Sequence, residues 1–199
     1  MKTIIAVFFF GVVTYAYTPK PPHVVSKCEE KTPKAGFQSS QFFTGTWFVT
    51  QAVYVTTSVC HKFDAKMTGS TISVTADGYY EIGNKRDFYN VPCTGTDVTK
   101  NGKFTLTCQP KRKSDTSTKN TINVQVDVTV LETDYNKYAL VYRCATSGPR
   151  ITDNYLVLQR KEDDQISNLD KILKSQGLVP DNMISRKKSK NVCIQMPTA

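Results

Sequence analysis

From Thr121 to Leu131 the chain reads TINVQVDVTVL. Ile122, Val124, Val126, Val128 and Val130 fall on one face, and Asn123, Gln125, Asp127 and Thr129 fall on the other. This period of two belongs to a strand with one wall in water and one against an apolar interior. Shorter runs of the same kind give candidate strands at Thr46–Val55, Thr71–Thr75, Tyr79–Ile82, Phe88–Val91, Lys103–Cys108, Lys137–Cys144 and Asn154–Arg160. The punctuation between them is Thr68-Gly69, Asp77-Gly78, Gly83-Asn84, Asn101-Gly102 and Ser147-Gly148-Pro149. Asp-Gly and Asn-Gly between such runs signal hairpins. Eight short strands in steady succession predict an all-β sandwich or up-and-down barrel.

The pattern changes once. In EDDQISNLDKILKSQG, residues 162–177, Ile166, Leu169, Ile172 and Leu173 form a helical stripe. Glu162, Asp163 and Asp164 at the start and Lys171 and Lys174 near the end suit the helix dipole. Gly177 and then Pro180 stop the helix. One α-helix is therefore expected, C-terminal to the strands and packed on the sheet.

The beginning of the chain reads differently. Lys2 precedes the apolar run IIAVFFFGVV, which is shorter than the roughly 20 residues a membrane span needs. Small residues follow, so residues 1–16 read as a secretory signal peptide cleaved after Ala16 or Thr18. Residues 17–35 form an extended leader, 36–178 the barrel with its helix, and 179–199 a basic C-terminal tail. The mature protein is expected to be secreted, extracellular and monomeric. In that compartment the six cysteines read as three disulfides, whose pairing spacing alone leaves open.

Charge narrows the partners. The formal net charge is +9, of which Lys2 contributes one. The densest clusters are Arg186–Lys190 and Lys111–Lys113. In a secreted protein they fit an anionic surface or acidic protein patch, or else form a solvated face. They lack neighbouring aromatic platforms, so nucleic acid is not an expected partner. With no CxxC and only His23 and His61 as imidazoles, no metal site is expected. Nor is there a G-x-S-x-G, an H-E-x-x-H or a glycine-rich phosphate loop, so no enzymatic activity is expected.

Three motifs carry a resemblance. Gly45-Thr46-Trp47 heads the first strand, Thr133-Asp134-Tyr135 precedes KYALVYRC, and Arg160 closes YLVLQR ahead of the helix. In this order, over residues 36–178, the chain resembles the lipocalins. That implies an eight-stranded antiparallel up-and-down barrel with one C-terminal α-helix. FxSxxFFTGTWFVT and the cysteine layout further resemble the salivary lipocalins of blood-feeding bugs, the triabin and pallidipin group, with nitrophorins as distant haem-binding cousins. This resemblance implies the pairings Cys28–Cys144, Cys60–Cys193 and Cys93–Cys108. It also makes Trp47 the stopper of the closed end, with Gly45 allowing a tight turn into the strand and Arg160 against the indole. Thr133, Asp134 and Tyr135 then form a corner.

Side-chain parity carried over from lipocalins points Ala139, Val141 and Arg143 inward, and Tyr138, Leu140, Tyr142 and Cys144 outward. By the same parity Ile122, Val124, Val126, Val128 and Val130 line a cup opposite Leu156 and Leu158, and Gln51 is expected to face inward. Arg143 would be a lone cation on an apolar wall, needing an internal carboxylate, water near the mouth, or the acid group of a ligand. Haem is not expected, because the segment where nitrophorins carry their histidine reads ADGYYEIGNK here. No cofactor is expected. The resemblance implies a binding protein for a small apolar ligand, the favoured one an eicosanoid such as thromboxane A2, with inhibition of platelet aggregation. The alternatives are a coagulation or contact-activation factor held on the basic outer surface, and a scavenged biogenic amine or nucleotide.

Overall fold

Alternating side chains need two environments, and the chain supplies them by curling its sheet into a closed wall. The computed structural model describes residues 21–82, 85–97, 101–113, 122–189 and Cys193. The signal segment, the Gly83-Asn84 turn, Thr121 and Lys190 lie outside these residues. In chain order the described strands and α-helices are β1 (His23–Val25), α1 (Ser39–Phe42), β2 (Gly45–Ala52), β3 (Lys62–Thr68), β4 (Thr71–Ile82) and β5 (Lys85–Thr96). They continue with β6 (Lys103–Cys108), β7 (Lys111–Arg112), β8 (Val124–Thr133), β9 (Tyr138–Ser147), β10 (Arg150–Gln159), α2 (Leu169–Ser175) and β11 (Ile184–Ser185).

Eight of these make the barrel, in the order β2-β3-β4-β5-β6-β8-β9-β10, and pairing of β10 with β2 closes it. All the pairings are antiparallel. β1 and β11 add short strands on the outside, against β10 and β2.

The strand count agrees with the sequence expectation, but the strands differ. β4 runs straight through Asp77-Gly78, where a turn was expected. Gly78 serves a close approach instead. A Cβ built there would lie 2.2 Å from Cδ2 of His61. β3, which the sequence reading passed over, restores the number. It alternates Phe63, Ala65 and Met67 toward the inner core.

The helix is also shorter than its stripe. It begins at Leu169, not Glu162, because the acidic residues ahead of it are used elsewhere. Glu162 pairs with Arg186 at 2.8 Å, and the Asp164 carbonyl accepts a hydrogen bond from Gln159. Leu173 is fully buried against Leu140, Tyr142, Cys144 and Val157, the outward side chains of β9 and β10. That outer cluster fixes α2 to the barrel. Gly177, at φ +73°, ends the helix as expected.

The base is closed by aromatic packing. Phe37, Phe42, Phe43, Trp47 and Phe104 pack with ring centroids 4.7–5.5 Å apart. Gly45 turns the chain into β2 at φ +71°. Trp47 donates its indole N–H to the Phe42 carbonyl at 2.9 Å, and the Arg160 guanidinium covers the indole at 3.6 Å. At the neighbouring corner, Tyr135 adopts φ +65°. It is held there because the Asp134 carboxylate accepts the backbone N–H groups of Asn136, Lys137 and Tyr138.

Three disulfides join Cys28–Cys144, Cys60–Cys193 and Cys93–Cys108. They tie the leader to β9, the C-terminal segment to the turn after β2, and β5 to β6.

Candidate binding cavity

Above the aromatic floor the barrel is hollow. The cavity holds about 630 Å³ and is lined from Phe42, Phe43 and Trp47 at the base to Pro22, Ile122 and Arg150 at the mouth. Val124, Val126 and Val128 of β8 line it, with Val141 and Arg143 of β9 and Leu156 and Leu158 of β10. These residues share a face because the β8–β9 and β9–β10 ladders hold Val128 opposite Arg143 and Val141 opposite Leu156.

Three expected residues are not on that wall. Val130 and Ala139 are fully buried, but lie in the packed core beneath the cavity. Gln51 stands opposite Val157, on the outer side. The reason is a bulge. Val49 pairs with Leu158 and Gln51 with Val157, which leaves Thr50 as an extra residue in β2. Beyond a bulge the two-residue alternation is inverted. Ala52, not Gln51, continues the inner row.

The cavity also has a polar belt. Arg143 on β9 faces His61, just ahead of β3, and Tyr80, on β4 across the lumen. Arg143 makes no ion pair or hydrogen bond with any described residue, and its Nε is buried without a partner. Burial presses its pKa below the ordinary guanidinium value, and the nearby Tyr80 and Asp153 only oppose this. His61 stacks on the Tyr80 ring at 4.3 Å, and its Nε2 donates to the Tyr79 carbonyl at 2.9 Å. Burial lowers the His61 pKa to about 4, and the Arg143 and Arg186 charges add to that. Burial also pushes the Tyr80 phenol up to about 12. At neutral pH the belt is therefore one guanidinium, one neutral imidazole and one un-ionised phenol.

Sequence reasoning missed His61 and Tyr80 as members of this belt. The signal for Tyr80 was its parity on one long strand, hidden by the Asp-Gly reading. For His61 it was the unassigned alternation of β3 immediately after it. Among the described residues no aspartate or glutamate lines the cavity, whereas Arg112, Arg143 and Arg150 all do. Arg112 has its own carboxylate, Asp87, at 3.2 Å, outside the lining.

The basic clusters look different in space. Arg186 is buried, donating to the Val59 carbonyl at 2.8 Å and pairing with Glu162. It fastens the C-terminal segment to the barrel, so it is not a free surface charge. Arg112 turns toward the cavity. Lys111, Lys113, Lys187 and Lys188 remain exposed.

Comparison with known proteins agrees with this architecture. Residues 16–171 match the family model for Triabin. Triafestin-1 of Triatoma infestans is 34% identical over 195 residues, spanning 94% of this chain and 85% of that protein. Among solved structures, a point mutant of LTBP1 in complex with leukotriene C4 is 26% identical, with a TM-score of 0.53, covering 74% of this chain and 86% of the other. The tryptamine complex of the amine binding protein of Rhodnius prolixus has a TM-score of 0.64 at 21% identity, covering 83% of this chain and 89% of the other, a likeness of fold.

Proposed function

We propose, for a chain that belongs to the triabin family of lipocalins, that this protein is a secreted scavenger capturing a small acidic lipid in its barrel. The carrying observation is Arg143, whose Nε is buried without a partner among the described residues, beside a wall of valine and leucine side chains. A buried unpaired charge costs several kcal/mol, and a ligand carboxylate bound by the guanidinium fork offsets that cost. The valines and leucines around it suit an acyl tail. The relative solved with leukotriene C4 supports an eicosanoid-type acid, and we favour one such as thromboxane A2. Removal of such a mediator would blunt platelet aggregation by stoichiometric capture, without turnover.

An amine is disfavoured, although the Rhodnius relative holds tryptamine. An ammonium group wants a carboxylate, and the described lining offers three arginines instead. A coagulation-system protein bound on the outer surface loses support from the burial of Arg186, which leaves scattered lysines for that role.

Calorimetric titration with a thromboxane mimic, arachidonate, serotonin and ADP tests this reading. The mimic and arachidonate are expected to bind, with little dependence on salt. Arg143→Ala should weaken them by about 1.5–3 kcal/mol, the scale of a charged hydrogen bond. Unchanged affinity in that variant would remove Arg143 from the site. Binding of serotonin alone would overturn acid capture.

A further inference from the structure

The belt contains an acceptor as well as a donor. A carbonyl oxygen only accepts hydrogen bonds, so the 2.9 Å contact to Tyr79 fixes the proton of His61 on Nε2. In a neutral ring the lone pair then sits on Nδ1. The ring edge turned to the barrel wall is identified by Gly78. A Cβ placed there would meet Cδ2 at 2.2 Å and Cγ and Nε2 at 3.1 Å. Nδ1 lies on the opposite edge, and no described residue donates to it. The phenol of Tyr80, stacked on the same ring, lines the cavity beside it, and Arg143 faces both from the far wall.

A plain fatty acid satisfies only half of this arrangement. Its carboxylate accepts from Arg143 and from the Tyr80 hydroxyl, but nothing donates to Nδ1. An enclosed acceptor left without a donor weakens binding by roughly the scale of one lost hydrogen bond. We infer that, among the acids it captures, the cup holds most tightly those whose carboxylate carries a neighbouring hydrogen-bond donor, either a hydroxyl or an amide N–H within a bond or two of the acid, so that arachidonate or a thromboxane, with a plain chain next to the acid, is held through Arg143 and Tyr80 alone. Arg143 takes the acid and His61 Nδ1 takes the donor. His61 is then a specificity-determining residue of the cavity. Its tautomer is set by Tyr79 and its position by the missing side chain of Gly78.

This rests on the acid-capture reading, and titration separates the two. The probes are palmitate, α-hydroxypalmitate, α-methoxypalmitate and palmitoylglycine. α-Hydroxypalmitate and palmitoylglycine should bind the native protein about tenfold more tightly than palmitate, the worth of one hydrogen bond. α-Methoxypalmitate has similar bulk but no donor, and should gain nothing. In His61→Phe the affinity ratio of α-hydroxypalmitate to palmitate should fall to about one. Reading a ratio cancels any general weakening of the cup by the substitution. Equal binding of the hydroxy and methoxy acids, or palmitate binding as tightly as both donors, overturns the inference and leaves acid capture standing. Failure of every acid to bind overturns both.

Discussion

The Arg160 guanidinium lies 3.6 Å from the centroid of the Trp47 ring and donates to the backbone carbonyls of Tyr135, Thr46 and Gln41 at 3.0–3.2 Å. One side chain thus binds the corner ahead of β9, the mouth of β2 and the helical turn before it. The planar fork makes this possible, since it presents donors in several directions while its face rests on the indole. Lysine offers a single ammonium and cannot do both. Arg160→Lys should destabilise the fold by about 2–3 kcal/mol, from several lost hydrogen bonds and a weakened cation–π contact. Thermal denaturation measures it. Trp47 is the only tryptophan in the chain, so its emission reports on the base alone. A red shift in the folded variant is expected, and unchanged stability would show that the fork is dispensable.

Gly78 and His61 form a second lock. Gly78 has ordinary backbone torsions, so its requirement is one of space and not of conformation. In Gly78→Ala the new methyl would overlap the imidazole, and overpacking of this kind costs about 1–3 kcal/mol. The cost should largely vanish when His61 is reduced to alanine in the same chain. A double-mutant cycle in chemical denaturation checks this coupling. Additive effects would mean that the ring moves aside freely.

Much of this fold was legible because its signals are local. Gly45 and Asp134 act through turns, and the β8 alternation faces one wall from Val124 to Val130, whereas the long-range contact of Arg160 with Trp47 was legible through the lipocalin resemblance. What escaped was set by neighbours in space. A bulge at Thr50 turned Gln51 outward, and no residue type announces a bulge. Asp77-Gly78 had the chemistry of a turn, but the glycine was needed beneath His61. The merged strand and the overlooked β3 then compensated each other in the strand count. The basic tail looked like a surface feature, yet the Val59 carbonyl and Glu162 drew Arg186 inside.

That placement separates structural from surface charge in the tail. Arg186→Ala removes the ion pair to Glu162 and leaves the buried Val59 carbonyl without its donor. A loss of about 2–3 kcal/mol is expected. Replacing the exposed Lys187 and Lys188 together by alanine should cost less than about 0.5 kcal/mol, as is usual for surface sites. Melting temperatures of the two variants test the distinction, and equal losses would deny Arg186 its anchoring role.

The buried imidazole also gives the fold a defined acid sensitivity. The His61 pKa is about 4 in the folded chain against an ordinary 6.5. Between those values the unfolded chain binds the proton more readily, so stability rises with pH across the window. The neutral ring's contribution is complete above about pH 6.5 and is lost progressively as pH falls toward 4. A shift of this size corresponds to something on the order of 3 kcal/mol. Arg143 stays charged and Tyr80 stays protonated throughout the window, so neither masks the titration of the ring. Denaturant midpoints measured at intervals from pH 7 to pH 4 should therefore fall in the native protein. His61→Phe keeps an aromatic ring but has no proton to bind, and its profile should be flatter over the same interval. Carboxylate protonation at the acid end of this interval weakens both proteins alike. Parallel profiles for the two would show that His61 is protonated in the folded chain at no cost, contrary to its enclosure between Gly78, Tyr80 and the two guanidinium charges.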